Sequence, residues 1–167
     1  MEIFSFEQVF PDKEVDILQI QKVYEQTPSY FEIIKSQLPD KEAVKDDLNA
    51  TPLGCSFDRK FFYAIYHNKE VIGCADIIQG YPNSETGFIG LLLFIESKQG
   101  LGYGTLALDY IVKLTQDWGC NCLRIAVVES NKRAQKFWSR QGFIELYRKR
   151  VNESRPPVIV MEKTLTQ

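Results

Sequence analysis

One stretch of this chain constrains its fold more than any other. An apolar run from Thr86 to Glu96 leads into a glycine-rich turn, Gln99-Gly100-Leu101-Gly102-Tyr103-Gly104, and then into an amphipathic stretch from about Thr105 to Trp118. The run is apolar on both sides of a period-two pattern, which predicts a central strand covered on both faces. Leu106, Tyr110, Ile111, Leu114 and Trp118 recur at helical spacing, and Gly119 ends the helix. The first turn of any helix leaves backbone N–H groups unpaired, and the macrodipole adds partial positive charge there. Glycine at every other position lets such N–H groups converge with no Cβ in the way. Strand, glycine loop and helix start together predict an anion site.

The flanking elements set the fold class. Residues 1–7 alternate apolar and polar, as in a strand. Val15, Leu18 and Val23 follow Pro11-Asp12 at roughly helical spacing. Thr27-Pro28-Ser29 breaks that helix and starts a short one, Tyr30 to Leu38, and Pro39-Asp40 precedes a third piece, Glu42 to Leu48. Asn49 to Arg59 reads as a loop. Phe61 to His67 and Val71 to Gln79 flank the turn Asn68-Lys69, which makes a hairpin, and residues 80–84 turn back into the central strand. After the anion loop come a short strand, Cys122 to Val128, and a helix capped by Asn131 and stopped at Gly142. Phe143 to Arg150 and Val158 to Leu165 are the last strands, joined by a polar loop with Pro156 and Pro157. The expected fold is a mixed-sheet α/β domain over residues 1–167, with antiparallel hairpins ahead of one β-α-β step and no internal repeat.

Composition narrows the function. At 44% hydrophobic and 25% charged residues the chain is an ordinary globule. A net charge of −2 argues against a general nucleic-acid binder. The charge is uneven: residues 1–87 carry 8 Lys/Arg against 15 Asp/Glu, and residues 88–167 carry 12 against 7. That division suggests an anionic ligand for the second half and a cationic or amine-bearing one for the first. Cys55, Cys74, Cys120 and Cys122 have neither disulfide-framework nor zinc spacing, and His67 is the only histidine, so no metal is expected. Reduced thiols and an acidic N-terminus without signal-peptide character suggest a cytoplasmic protein. Phe88 to Ile95, the longest apolar run, is too short to span a membrane.

Three cofactors use a loop of this kind. A P-loop requires a lysine after the last glycine, and none follows Gly104. Gly102-x-Gly104-x-x-Ala107 matches a loose dinucleotide fingerprint, with Glu129 downstream, but antiparallel hairpins ahead of it do not suit a Rossmann unit. The third is coenzyme A. Gln99-Gly100-Leu101-Gly102-Tyr103-Gly104 resembles the Gln/Arg-x-x-Gly-x-Gly/Ala motif of the GNAT superfamily of acetyl-CoA-dependent N-acetyltransferases. Asn131-Lys132-Arg133-Ala134, then Phe137-Trp138 and Gly142-Phe143, is similar to that family's second motif. The resemblance implies a mostly antiparallel sheet with flanking helices and a splayed central strand pair. It implies that the strand end at Phe94 and Ile95 pairs with the pantetheine, and that backbone amides from Gln99 through Gly100, Leu101, Gly102, Tyr103 and Gly104 to Thr105 hold the pyrophosphate. Asn131, Ala134 and Phe137 would lie along the pantetheine arm. Lys132, Arg133, Lys136 and Arg140 are candidates for the adenosine 3′-phosphate, or a solvated helix face.

The implied reaction is acetyl transfer from acetyl-CoA to an amine, with a non-catalytic acetyl-CoA sensor as the alternative. A lysine-like amine has a pKa of about 10.4, so at pH 7 a carboxylate must help it lose a proton. Asp76, alone among apolar neighbours in its strand, Glu85 and Glu129 are the candidates. The family often has tyrosine as the acid where this chain has Trp138, and indole does not give up its proton near pH 7. Water or another tyrosine, such as Tyr147, is left to serve the thiolate. Tyr30, Phe31 and Tyr81 are candidates for the acceptor pocket. A homodimer is an open option.

Overall fold

The structure, a computed structural model, describes residues 2–166. Met1, the first residue of the expected opening strand, lies outside them. Seven strands form one sheet: β1 (Phe4–Gln8), β2 (Lys60–His67), β3 (Glu70–Gln79), β4 (Thr86–Phe94), β5 (Cys122–Val128), β6 (Ile144–Lys149) and β7 (Val158–Thr164). Their order is β1-β2-β3-β4-β5-β7-β6. Every neighbouring pair is antiparallel except β4 and β5, which the intervening helix makes parallel. Helices α1 (Glu14–Glu25), α2 (Pro28–Ile33) and α3 (Lys41–Asn49) cover one face, and α4 (Tyr103–Asp117) and α5 (Lys132–Arg140) the other. Among the described residues no helix is long and apolar enough to cross a membrane.

Two expected helix faces are rotated. In α1 the buried side chains are Ile17, Ile20, Val23 and Tyr24, while Val15 and Leu18 are exposed. In α4 they are Ala107, Leu108, Ile111 and Thr115, and Leu106 and Tyr110 are exposed. Both helices carry more apolar residues than one face holds, so packing against the sheet chooses among them. Helix α2 stops at Ile33, short of the expected Leu38, because Lys35 adopts φ 56° and the Ser36 N–H turns back to the Phe31 carbonyl. Asp40 caps α3 through the Ala43 N–H at 2.9 Å.

The parallel pair is short. Thr86 to Ile89 pair with Cys122 to Ile125, and no pairing of β4 with β5 continues beyond them. Asp76 pairs with Leu91 and Ile77 with Ile89, so Gly90 is a bulge where the two strands part. Beyond it Leu92 and Phe94 pack with the α4/α5 side, and Leu91 and Leu93 with the α1–α3 side.

Candidate active site

The parted strands leave backbone groups with nothing to bind. The Ile95 N–H donates to the Ile72 carbonyl at 2.9 Å, toward β3. Strand alternation therefore turns the Leu92 and Phe94 N–H groups the other way, into the gap facing β5. The Ile95 N–H is thus committed to β3, and the Ile95 carbonyl accepts from the Lys98 N–H at 2.9 Å. The Phe94 carbonyl is taken too, by the Gln99 side-chain amide at 2.8 Å.

The glycine loop starts there. Arg133 donates to Gln99 Oε1 at 3.1 Å, so Gln99 ties the strand end to α5, and its own N–H is used by the Glu96 carbonyl. Gly100 has φ 75° and Gly102, the residue capping α4, has φ 92°; L side chains rarely adopt either. From Gly100 through Leu101, Gly102, Tyr103, Gly104 to Thr105, no backbone N–H donates to a protein acceptor among the described residues. A Cβ on Gly104 would sit 2.9 Å from the Phe137 ring, so the loop rests directly on α5. Tyr103 anchors it from below, stacking with Phe4 and Phe94 and meeting His67 Nδ1 with its hydroxyl at 3.2 Å. A row of free N–H groups at a helix start, cradled by glycine, fits a diphosphate.

Helix α5 supplies the outer wall. Asn131 caps it, its Oδ1 accepting from the Ala134 N–H at 3.2 Å, and its amide nitrogen stays available to a ligand. Lys132, Lys136 and Arg140 line a shallow groove of about 420 Å³ with Gln135 and Ser139. Trp138 is buried, edge-on to Phe137 and Phe143 at 5.0 Å each. It is core, and no proton donor for a departing sulfur.

The opposite side of the gap is a bay. Gly90 and Ala126 are exposed, although both lie in central strands; the α1–α3 layer packs on β2, β3 and the far end of β4, at Leu91 and Leu93, with Ile95 just after it. Asp76 forms its wall. It lies on the α1–α3 face, its Oδ2 2.8 Å from Lys60 Nζ and 3.1 Å from where a Gly90 Cβ would be. The lysine is almost wholly buried. Asp76 Oδ1 is buried and has no hydrogen-bond partner. Burial pushes the Asp76 carboxyl up, against the pull of Lys60. Nearby, Asp47 accepts from the Tyr24 hydroxyl at 3.0 Å and is likewise pushed up by burial. Tyr30 is pushed up to about 12, chiefly by burial, with Cys74 and Asp47 adding to it.

The other expected residues divide. The junction of α1 and α2 sits over the end of β4, where Glu96 accepts from the Ser29 N–H and hydroxyl at 3.0 and 2.6 Å; this places Tyr30 near the bay. Phe31 is core instead, packed edge-on against Tyr24 and Tyr30, so it does not line a pocket. Tyr81 stands edge-on to Phe88, two residues before Gly90. Tyr147 lies in the lateral row Ala126, Val160, Tyr147, about 10 Å of strand spacing from Ala126. It rims the bay and does not reach the gap. Glu129 follows β5, half-exposed, and its carboxylate turns toward Arg148 at 3.8 Å. Sequence patterning does not single out Lys60 or Asp47. A signal for Lys60 exists: it opens an otherwise apolar strand, paired across a hairpin with the strand that holds Asp76.

A sequence model described as the acetyltransferase (GNAT) family matches residues 20–143. The chain belongs to the GNAT acetyltransferase family. Among solved structures, an acetyltransferase from Thermus thermophilus superposes with a TM-score of 0.82 at 28% identity, covering 97% of each chain. The ribosomal-protein-S18-alanine N-acetyltransferase of Escherichia coli gives a TM-score of 0.71 at 13% identity, covering 99% of this chain and 96% of that one. An IAA acetyltransferase from Bacillus cereus gives 0.64 at 14%, covering 98% and 100%. These last two are likenesses of fold. Comparison with curated proteins finds no match. Membership of the GNAT family implies acyl transfer from acetyl-CoA, and the free N–H row of this GNAT acetyltransferase suits the coenzyme's diphosphate.

Proposed function

We propose that this protein transfers the acetyl group of acetyl-CoA to a primary amine of a small or peptide-like acceptor. The observation that carries the reading is the run of unpartnered N–H groups from Gly100 to Thr105 opening onto parted strands. Acetyl-CoA supplies the acyl group as a thioester that the amine attacks directly. The Gly100–Thr105 amides hold the diphosphate, with Arg133, Lys132, Lys136 and Arg140 available to the remaining phosphate. Asn131, Ala134 and Phe137 flank the arm. The Leu92 and Phe94 N–H groups stabilise the negative charge that develops on the carbonyl oxygen. Water protonates the sulfur, a tolerable leaving group with a thiol pKa of about 8.5.

The bay admits the acceptor from the α1–α3 side, between Tyr30, Tyr81 and Tyr147. The acidic balance of residues 1–87 favours a cationic acceptor. We read residues 1–167 as a single domain, and the four free cysteines support a reducing, cytoplasmic setting. The test is thiol release from acetyl-CoA across a panel of primary amines, alcohols and peptides with free N-termini. Amine-dependent release with a matching N-acetyl product supports the reading. Saturable acetyl-CoA binding with no release for any amine refutes it and favours a sensor.

A further inference from the structure

The charges beside Gly90 make an incomplete network. Asp76 is enclosed in the α1–α3 layer, yet its carboxylate uses only one of the roughly four hydrogen bonds it can accept. A buried acceptor without a partner is costly, and native structures rarely keep one. The titratable groups that act on Asp76 are Lys60 from β2, Cys74 from its own strand and Asp47 from α3. Tyr24 from α1, Tyr30 from α2 and Arg155 from the β6–β7 connection in turn face Asp47. Asp47 and Arg155 are both exposed, so the enclosed pair is Lys60 and Asp76 alone. Within that pair the carboxylate keeps unused acceptor capacity.

Gly90 shows where a further donor reaches the carboxylate. It is exposed in the middle of the central strand, and a Cβ on it would lie 3.1 Å from Asp76 Oδ2 and 3.5 Å from Cγ. Any side chain here would cover the carboxylate. The glycine does not serve a left-handed turn, since it is not among the positive-φ residues. The same bulge marks where β4 parts from β5, so a group seated over Gly90 lies beside the gap.

We infer that the Lys60–Asp76 pair beside Gly90 is the seat of the acceptor, which arrives as a primary ammonium and hydrogen-bonds the Asp76 carboxylate. This rests on the N-acetyltransferase reading above and adds the acceptor's charge state and its partner. The ammonium loses one proton to the Asp76 carboxylate; the freed lone pair forms the new C–N bond as the C–S bond breaks, and the second N–H proton passes through water to the departing thiolate, leaving a neutral amide and a free thiol. Water then takes the proton from the carboxyl. Lys60 is a positioning residue: it fixes Oδ2 and favours the ionised form of the Asp76 carboxyl against the effect of burial.

The experiment uses the whole chain with three substitutions, Asp76→Asn, Lys60→Gln and Gly90→Ala. Acetyl-CoA binding is followed by calorimetry, and propylamine, tyramine and putrescine serve as amines, with propanol as the uncharged control. Expected for Asp76→Asn is acetyl-CoA affinity within threefold of the parent, a fall in kcat/KM for every amine of at least 100-fold, and loss of the acid limb of the pH profile. Lys60→Gln is expected to move that limb to higher pH, because the cation that favours the ionised carboxyl is gone. Gly90→Ala is expected to raise the amine KM at least tenfold with acetyl-CoA binding intact. A thermal shift by amines, absent with propanol and lost in Asp76→Asn, reads the seat without turnover. Asp76→Asn turning over amines within threefold of the parent, with an unchanged pH profile, overturns the inference and leaves the N-acetyltransferase reading standing. If the parent acetylates no amine, that reading falls. The thermal shift then decides the seat alone: loss in Asp76→Asn upholds it, and no shift or an equal shift overturns it.

Discussion

Replacing Gly102 by glutamate separates the anion loop from everything else in the molecule. Gly102 lies at φ 92°, and a Cβ built on it meets no atom within 4 Å. The substitution thus adds no clash, only left-handed strain of about 1–2 kcal/mol. What it adds to the site is one negative charge beside the free N–H groups. Against a diphosphate carrying about two charges at about 5 Å, the repulsion is about 1.7 kcal/mol with full water screening and about 6.6 kcal/mol at an effective dielectric of 20. Even the lower figure weakens acetyl-CoA binding roughly 15-fold, and the higher one takes it out of calorimetric range. Gly102→Ala carries the strain without the charge and serves as the reference. Calorimetry with acetyl-CoA at low ionic strength is the assay, and at about 1 M salt the gap between the two variants should shrink. Binding by Gly102→Glu within threefold of Gly102→Ala at low salt refutes the placement of the diphosphate.

Three further outcomes are expected. Trp138→Tyr restores the residue that related enzymes often use as an acid, yet kcat should not rise, because the side chain points between Phe137 and Phe143; the smaller ring and its hydroxyl should lower stability by about 1–3 kcal/mol in urea denaturation. Gly104→Ala places a methyl 2.9 Å from the Phe137 ring and should cost about 1–3 kcal/mol, a fall in Tm of a few degrees for a domain of this size. Tyr30, pushed up to about 12, keeps its proton in the native state while the unfolded chain loses it above about 10. Stability should therefore fall as pH rises from 10 to 12, by about 1.4 kcal/mol from this group at pH 11, and Tyr30→Phe should flatten that slope in urea titrations at pH 9 to 11.

The anion loop is legible in the sequence because its physics is local. Glycine spacing, a helix start and a preceding apolar strand lie within twenty residues, and none of them depends on a distant partner. The element order, the hairpin around Asn68-Lys69 and the helix capped by Asn131 are equally short-range, and the structure contains them. Helix faces are less legible. Val15 and Leu18 are as apolar as the buried Ile17 and Ile20, and only the sheet beneath α1 distinguishes them. Asp76 is conspicuous as a charge in an apolar strand, but its meaning depends on Lys60, sixteen residues away and brought to it by the hairpin register.

Sequence alone thus determined that a glycine-rich turn opens a helix after a central strand, and where it sits, since backbone donors and glycine freedom are properties of neighbours in the chain. Tertiary structure decided that Lys60 and Asp76 share an enclosure, that Gly90 lies uncovered at the parting of β4 and β5, that the Ile95 N–H is committed to β3, and that Trp138 faces inward. Each of these depends on strand register and on layers packed from distant segments, so each exists only once the sheet has closed.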